Sequence, residues 1–374
     1  MESNKILFSI IVPVYNTGKY INKCLESIVK AIDTDCEVIL INDGSTDNSE
    51  QVIKDFIKTL PEKYKDKFIY KYKNNKGLAD TKNVGISMAR GEYISVVDSD
   101  DYISDDFYTI ARRYIKEGYE IIIYDLYIIF EKNYEENYCK QMNIEEKIKF
   151  TNYVARAFRD DKDDFKTSVL CGAMQGSSCN KIIKKSLYET YEFPTNKEYE
   201  DTAVTPFILM DTDKIKYIPY PLYYYLQRAK SIVASNTYIT AFYKICENIS
   251  NELKNKEDYK KYNDIINEFF VDRTLDTMYE DYRKNKKEFL AKLNDFSAQN
   301  ENTIKYILDT KMIEEGNNHY SPRQKILLTN IYRSIYEKKY KDVKKAFLSR
   351  KLVNYVRKSY RSFMAFLKTL IGRD

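Results

Sequence analysis

The first hundred residues switch repeatedly between two periodicities, and this limits the fold more than any other feature. Leu7-Phe8-Ser9-Ile10-Ile11-Val12 is a continuous β-rich apolar run, the pattern of a buried parallel strand, and Pro13 is expected to end it. Residues 20–32 then place Ile21, Cys24, Leu25, Ile28 and Val29 on one helical stripe. Cys36-Glu37-Val38-Ile39-Leu40-Ile41 is a second strand, followed by Asn42-Asp43-Gly44-Ser45-Thr46-Asp47-Asn48-Ser49. In that turn Gly44 permits a tight bend, and Thr46, Asp47 or Asn48 can cap a helix reaching to about Phe56. A strand over 67–73, a helix over 79–90 and a strand ending at Asp98 follow. Strand, helix, strand, helix, strand at these intervals predicts an α/β chain with a mostly parallel sheet.

In such sheets ligands lie at the carboxyl ends of the strands. Here those ends carry Tyr15, Asp43, and Asp98-Ser99-Asp100-Asp101. An aromatic face can stack on a base, and a carboxylate can accept from a base N–H. Three carboxylates within four residues repel one another unless a cation lies among them. Hard oxygens at a strand end suit Mg²⁺ or Mn²⁺, ions that commonly bring a phosphate. Each residue alone has an ordinary explanation in packing or capping. Together, at successive strand ends, they do not.

The ordered set Ser9-Ile10-Ile11-Val12-Pro13-Val14-Tyr15-Asn16, Asn42-Asp43-Gly44-Ser45-Thr46-Asp47, Asn75-Lys76-Gly77, Asn83-Val84-Gly85 and Asp98-Ser99-Asp100-Asp101 resembles the family 2 glycosyltransferases. The resemblance is close over about the first 110 residues. It implies a GT-A nucleotide-sugar-binding fold and inverting sugar transfer. By that resemblance Tyr15 would stack on uracil, Asp43 would bind its N3–H, Asp98 would bind ribose, and Asp100 would hold the metal. Pro13, Asn75, Lys82, Ser99, Arg228 and Ser231 are implied beside the nucleotide sugar. The family usually carries Arg-Asn where this chain has Lys82-Asn83, and Lys keeps the charge without the planar fork.

Further on, Phe107 to Lys116 reads as a helix and Glu120 to Phe130 as a strand; residues 131–168 are polar and charged. Ser177-Ser178-Cys179-Asn180-Lys181 precedes Tyr199-Glu200-Asp201, which opens a helix through Leu209. The family places its catalytic Glu-Asp at this point, so the resemblance makes Asp201 the base. Tyr217-Ile218-Pro219-Tyr220-Pro221-Leu222-Tyr223-Tyr224-Tyr225 leads to Arg228 and Ser231, which the family carries on a segment near the diphosphate.

From about Ser235 the chain has few Gly or Pro and recurrent helical spacing, such as Ile265, Phe269 and Leu275. The expected division is therefore 1–234, a GT-A catalytic domain, and 235–374, a helical region. Residues 338–374 hold twelve basic side chains against Asp342 and Asp374, and from Phe347 the apolar residues fall close to one helical face. Such a helix suits an anionic membrane surface or packing against other helices, in this chain or a second copy. The formal charge of +5 is too modest to argue for nucleic acid.

One His and six scattered Cys exclude a common zinc site and a Ser-His-Asp or Cys-His nucleophile. No run approaches 18 apolar residues, so no membrane span is expected. With scattered thiols and no signal-like N-terminus, the expected location is cytoplasmic, with peripheral attachment at the inner membrane face. The expected donor is a UDP-sugar and the expected acceptor a glycan or lipid-linked hydroxyl. A GT-A scaffold or carbohydrate-binding module, or a sugar nucleotidyltransferase, are the alternatives.

Overall fold

The computed structural model describes residues 5–131, 177–195, 200–228, 271, 289–299, 301–309, 311, 313 and 322–348. They fall into two compact units, one built on a sheet and one helical. The strands are β1 (Phe8–Val14), β2 (Cys36–Asp43), β3 (Phe68–Lys73), β4 (Tyr93–Val96), β5 (Tyr102–Ile103), β6 (Ile121–Phe130), β7 (Lys181–Lys184) and β8 (Ile215–Gln227). In the first unit the helices are α1 (Ile21–Ala31), α2 (Ser49–Thr59), α3 (Glu62–Lys65), α4 (Leu78–Met88), α5 (Phe107–Lys116) and α6 (Glu200–Met210).

The sheet runs β3-β2-β1-β4-β7-β6-β8-β5. Its first four strands are parallel, as the alternating periodicities require. β7 lies antiparallel between β4 and β6, and β6 and β8 are again parallel. β1, β4, β6 and β8 therefore point the same way, and their carboxyl ends gather along one edge. The two-residue β5 closes the far side against β8.

β1 and β2 are buried on both faces, which is why they read as unbroken apolar runs. The α1 stripe of Ile21, Cys24, Leu25 and Ile28 is buried as its spacing predicts. Gly85 of α4 lies so near β1 that a methyl group there would sit 2.4 Å from Ile11 Cγ2. β1 does not stop at Pro13 as expected; it continues to Val14. The ladder between β1 and β4 ends at Ile11 and Val96, whereas β2 pairs on through Val14. Val97 donates to Ile11 O, so odd-numbered residues of β1 face β4. The missing N–H of Pro13 therefore falls on the side where pairing has finished.

Asp125 in β6 is buried at a register shift against β8. Tyr217 donates to its Oδ1 at 2.8 Å, and its buried Oδ2 has no hydrogen-bond partner. Burial pushes this carboxyl from about 3.8 up to about 7. Between those values the unfolded chain has lost the proton and the folded chain has kept it, so stability falls as pH rises from about 4 to about 7. Above that window the full penalty, on the order of a few kcal/mol, persists. Asp125→Asn cannot ionise. Its melting temperature relative to wild type is expected to improve between pH 5 and pH 8, by about 5 °C or more. Parallel thermal melts at the two pH values check this, and an unchanged difference would mean that Asp125 does not stay protonated in the fold.

The helical unit contains α7 (Phe289–Gln299), α8 (Glu301–Asp309), α9 (Pro322–Tyr336) and α10 (Tyr340–Leu348). Leu293, Phe296, Ile304, Ile307, Leu328, Ile331, Ile335 and Val343 form its core. Pro322 occupies the first position of α9, where its missing N–H costs nothing. α10 covers the start of the basic C-terminal segment; residues 349–374, like 131–168 apart from Glu131, lie outside the described residues. Among the described residues no helix is long and apolar enough to cross a membrane.

Candidate active site

The register of β1 with β2 sets Val14 beside Asn42, so the segments after both strands emerge together. Tyr15 leaves β1 half exposed, at 50%. Asn16 follows in the left-handed region, with φ of 52°. Its side chain stabilises that turn: Oδ1 accepts from Thr46 N at 2.8 Å and from Asp47 N at 3.3 Å. Asp47 in turn accepts from Gly18 N and Ser49 N, each at 2.9 Å. The loops after β1 and β2 are thereby tied into one rigid rim.

Asp43 is buried at the end of β2. It accepts from Lys76 N and Gly77 N, each at 2.9 Å, and is paired with Lys73. Asp43 thus draws the loop carrying Asn75 against β2. Gly44 has φ of +70°, and a Cβ there would meet Asn75 N at 2.9 Å, so this approach needs glycine.

The loop after β4 is held from β8. Tyr223 donates to Asp101 Oδ2 at 2.8 Å and accepts from Asp98 N at 3.0 Å. Leu226 N donates to Asp101 Oδ1 at 2.7 Å. Burial, with Asp100 and Asp98 adding to it, holds the Asp101 carboxyl well above the ordinary carboxylate range. Asp101 is therefore a clasp between two strand ends. Ser99 meets the loop after β1, where its Oγ accepts from Thr17 Oγ1 at 2.9 Å.

Asp98 and Asp100 differ. Burial pushes the Asp98 carboxyl up to about 7; Lys82 pulls against this, and Asp100, Asp201 and Glu200 add to the rise. Asp100 meets a cation: Arg228 reaches its Oδ2 through Nε at 2.7 Å and Nη2 at 2.6 Å. The guanidinium also lies 5.1 Å from the centroid of the Tyr20 ring. A carboxylate that gathers a cation beside a second crowded carboxylate fits a hard divalent ion. Among the described residues no three His, Cys, Asp or Glu form a closed metal cage. With one or two carboxylates on offer here, such an ion would need the rest of its shell from phosphate and water.

Glu200 and Asp201 start α6, where the helix dipole favours anions. Lys82 enters from α4. Its Nζ donates to Glu200 Oε1 at 2.8 Å and to Asp201 Oδ1 at 2.6 Å. Ser178, just before β7, donates to Asp201 Oδ2 from N at 3.0 Å and from Oγ at 3.2 Å. Asp201 is oriented by three donors: Oδ2 accepts two of them, while Oδ1 accepts one and keeps a lone pair free.

Of the residues expected at the site, Pro13, Tyr15, Asp43, Asn75, Asp98, Ser99, Asp100 and Arg228 lie on the rim or its supports. Lys82, expected at the nucleotide, bonds the carboxylates of α6 instead. Ser231 is outside the described residues. The sequence reading did not single out Asn16, Asp101, Ser178 or Tyr223. Asp101 stood in the acidic cluster, but its partner Tyr223 lies beyond any local pattern.

Parallel strands whose ends share one rim, with an acidic pair at the start of a later helix, are the arrangement of a GT-A fold. The sequence pattern of Glycosyl transferase family 2 matches residues 9–184. Glycosyltransferase GlyG of Streptococcus pneumoniae serotype 4 (strain ATCC BAA-334 / TIGR4) is 31% identical over 235 residues, 61% of this chain and 73% of GlyG. The minor teichoic acid biosynthesis protein GgaB of Bacillus subtilis (strain 168) is 27% identical over 234 residues, 62% of this chain but only 24% of GgaB. The crystal structure of S. aureus TarS 1-349 in complex with UDP-GlcNAc has the same fold, with a TM-score of 0.60 at 21% identity, over 90% of this chain and 92% of that one. The chain belongs to the family 2 glycosyltransferases.

Proposed function

We propose that this enzyme moves a sugar from a UDP-sugar to a hydroxyl of a glycan or lipid-linked acceptor, with inversion, in bacterial surface-glycan synthesis. The observation that carries this reading is the placement of Asp201: fixed by Lys82 Nζ at 2.6 Å and by Ser178, and within the electrostatic reach of the strand-end Asp98. The TarS complex with UDP-GlcNAc and the teichoic acid function in the name of GgaB support the donor class and the setting.

In this reading Tyr15 stacks on the base, Asp43 accepts from it and Asp98 binds the ribose. Asp201 takes the proton of the acceptor hydroxyl as that oxygen attacks the anomeric carbon. The bond from the anomeric carbon to the UDP oxygen breaks on the opposite face, and UDP leaves with the electron pair. Arg228 supplies positive charge toward the diphosphate. Asp100 would hold Mn²⁺ or Mg²⁺, which when bound neutralises charge on the departing diphosphate. Residues 338–374 would bring the enzyme to an anionic membrane where lipid-linked acceptors lie.

A panel of UDP-sugars incubated with Mn²⁺, with UDP release as the readout, tests the reading. One donor is expected to be slowly hydrolysed without acceptor. UDP binding with no turnover on any donor and acceptor would leave a binding scaffold instead.

A further inference from the structure

Lys82 is among the most deeply buried charged groups described, with its side chain 2% exposed. A buried ammonium is costly unless it is paired and its hydrogen bonds are satisfied. Burial would lower its pKa, but Asp201, Glu200 and Asp98 outweigh that and hold it well above the ordinary lysine value. Two of its three N–H groups are taken by Glu200 and Asp201. The Phe193 ring, its centroid 5.3 Å from Nζ, closes a further side.

Asn83, the next residue, clamps the same region. Its Nδ2 donates to Phe193 O at 2.8 Å, and its Oδ1 accepts from Phe193 N at 2.9 Å. Consecutive residues of α4 therefore hold the segment before α6 by its backbone and the first turn of α6 by its carboxylates. α4 is itself locked to β1 through the close approach at Gly85. A packed path runs from β1, which leads into Tyr15, through α4 to the carboxylate of Asp201.

We infer that Lys82 is a positioning residue for Asp201, fixing the carboxylate over the donor site from within the protein rather than contacting the nucleotide. This rests on Asp201 being the base. Glu200 is the second anion that keeps the ammonium in place. A phosphate ligand would keep a donor directed at solvent; here Nζ is turned to the buried Glu200, the partly exposed Asp201 and a ring.

The test measures kcat with the active UDP-sugar and, separately, UDP affinity by calorimetry. Lys82→Met is expected to lower kcat by roughly 10²-fold, toward the lower end of the range for a general base. UDP affinity is expected to stay within about twofold of wild type, because in this arrangement no nucleotide contact is lost. Lys82→Arg should recover part of the loss. Should Lys82→Met fail to fold, with two carboxylates left unpaired, Lys82→Gln with Glu200→Gln removes the cation and one anion together, and the same split is expected. In an Asp201→Asn background the Lys82 change should add almost nothing, since it acts only through that carboxylate. Loss of UDP affinity in step with kcat would overturn the inference and make Lys82 a phosphate ligand. Lys82 variants at wild-type kcat beside an inactive Asp201→Asn would overturn it alone. An Asp201→Asn enzyme at full rate would overturn the base assignment and this inference with it.

Discussion

Asp201→Asn is expected to bind its UDP-sugar as wild type does and to transfer it about 10²–10⁴-fold more slowly. The amide keeps the size of the carboxylate and can still accept from Lys82 or Ser178 through its one carbonyl oxygen. What it cannot do is take a proton. Because its Nδ2 is a donor, it also meets either the ammonium of Lys82 or the N–H of Ser178 donor to donor. That mismatch disturbs the first turn of α6, not the rim at Tyr15 and Asp43. Single-turnover transfer with calorimetry of the donor separates the two effects. A collapse of donor affinity equal to the loss of rate would make Asp201 a binding residue and place the base elsewhere.

The second large effect is at Asp100. Asp100→Ala is expected to abolish the Mn²⁺-dependent part of UDP binding, since the remaining oxygens cannot hold the ion and the diphosphate together. It should not unfold the protein, because it removes one of several crowded carboxylates. The Arg228 side chain it strands is 18% exposed and still lies against the Tyr20 ring. Thermal shifts with UDP, with and without Mn²⁺, give the readout. If the variant keeps the full Mn²⁺-dependent shift, Asp100 is not the metal ligand.

The first hundred residues could be read from the chain because their physics is local. Each strand run, the α1 stripe and the turn at Gly44 depends on neighbours within a few positions, and each expected element formed close to its expected limits. What could not be read depends on distant partners. Lys82 meets Glu200 across a separation of 118 residues, and Tyr223 meets Asp101 across 122. The only local hint was a lysine on the face of α4 that also carries Ala79 and Gly85, where a charge must find an internal partner. β7 was similarly hidden. It has four residues, and nothing in Lys181-Ile182-Ile183-Lys184 states that it enters the middle of the sheet rather than an edge. Pro13 was misread as a strand end because the one-sided end of the β4 ladder is a property of the pairing, not of the residue.

The position of β7 bears on how the protein is made. β4 ends at Val96, and the strand that covers its open side begins at Lys181. At about 5–20 residues per second, a growing chain shows that bare edge for on the order of ten seconds. An uncovered, apolar, parallel edge is a template for pairing with another chain. The Asp101 clasp closes later still, when Leu226 has been added. A fragment cut just after the nucleotide-type motifs would keep that edge for good, so the shortest piece fit for expression extends past β8.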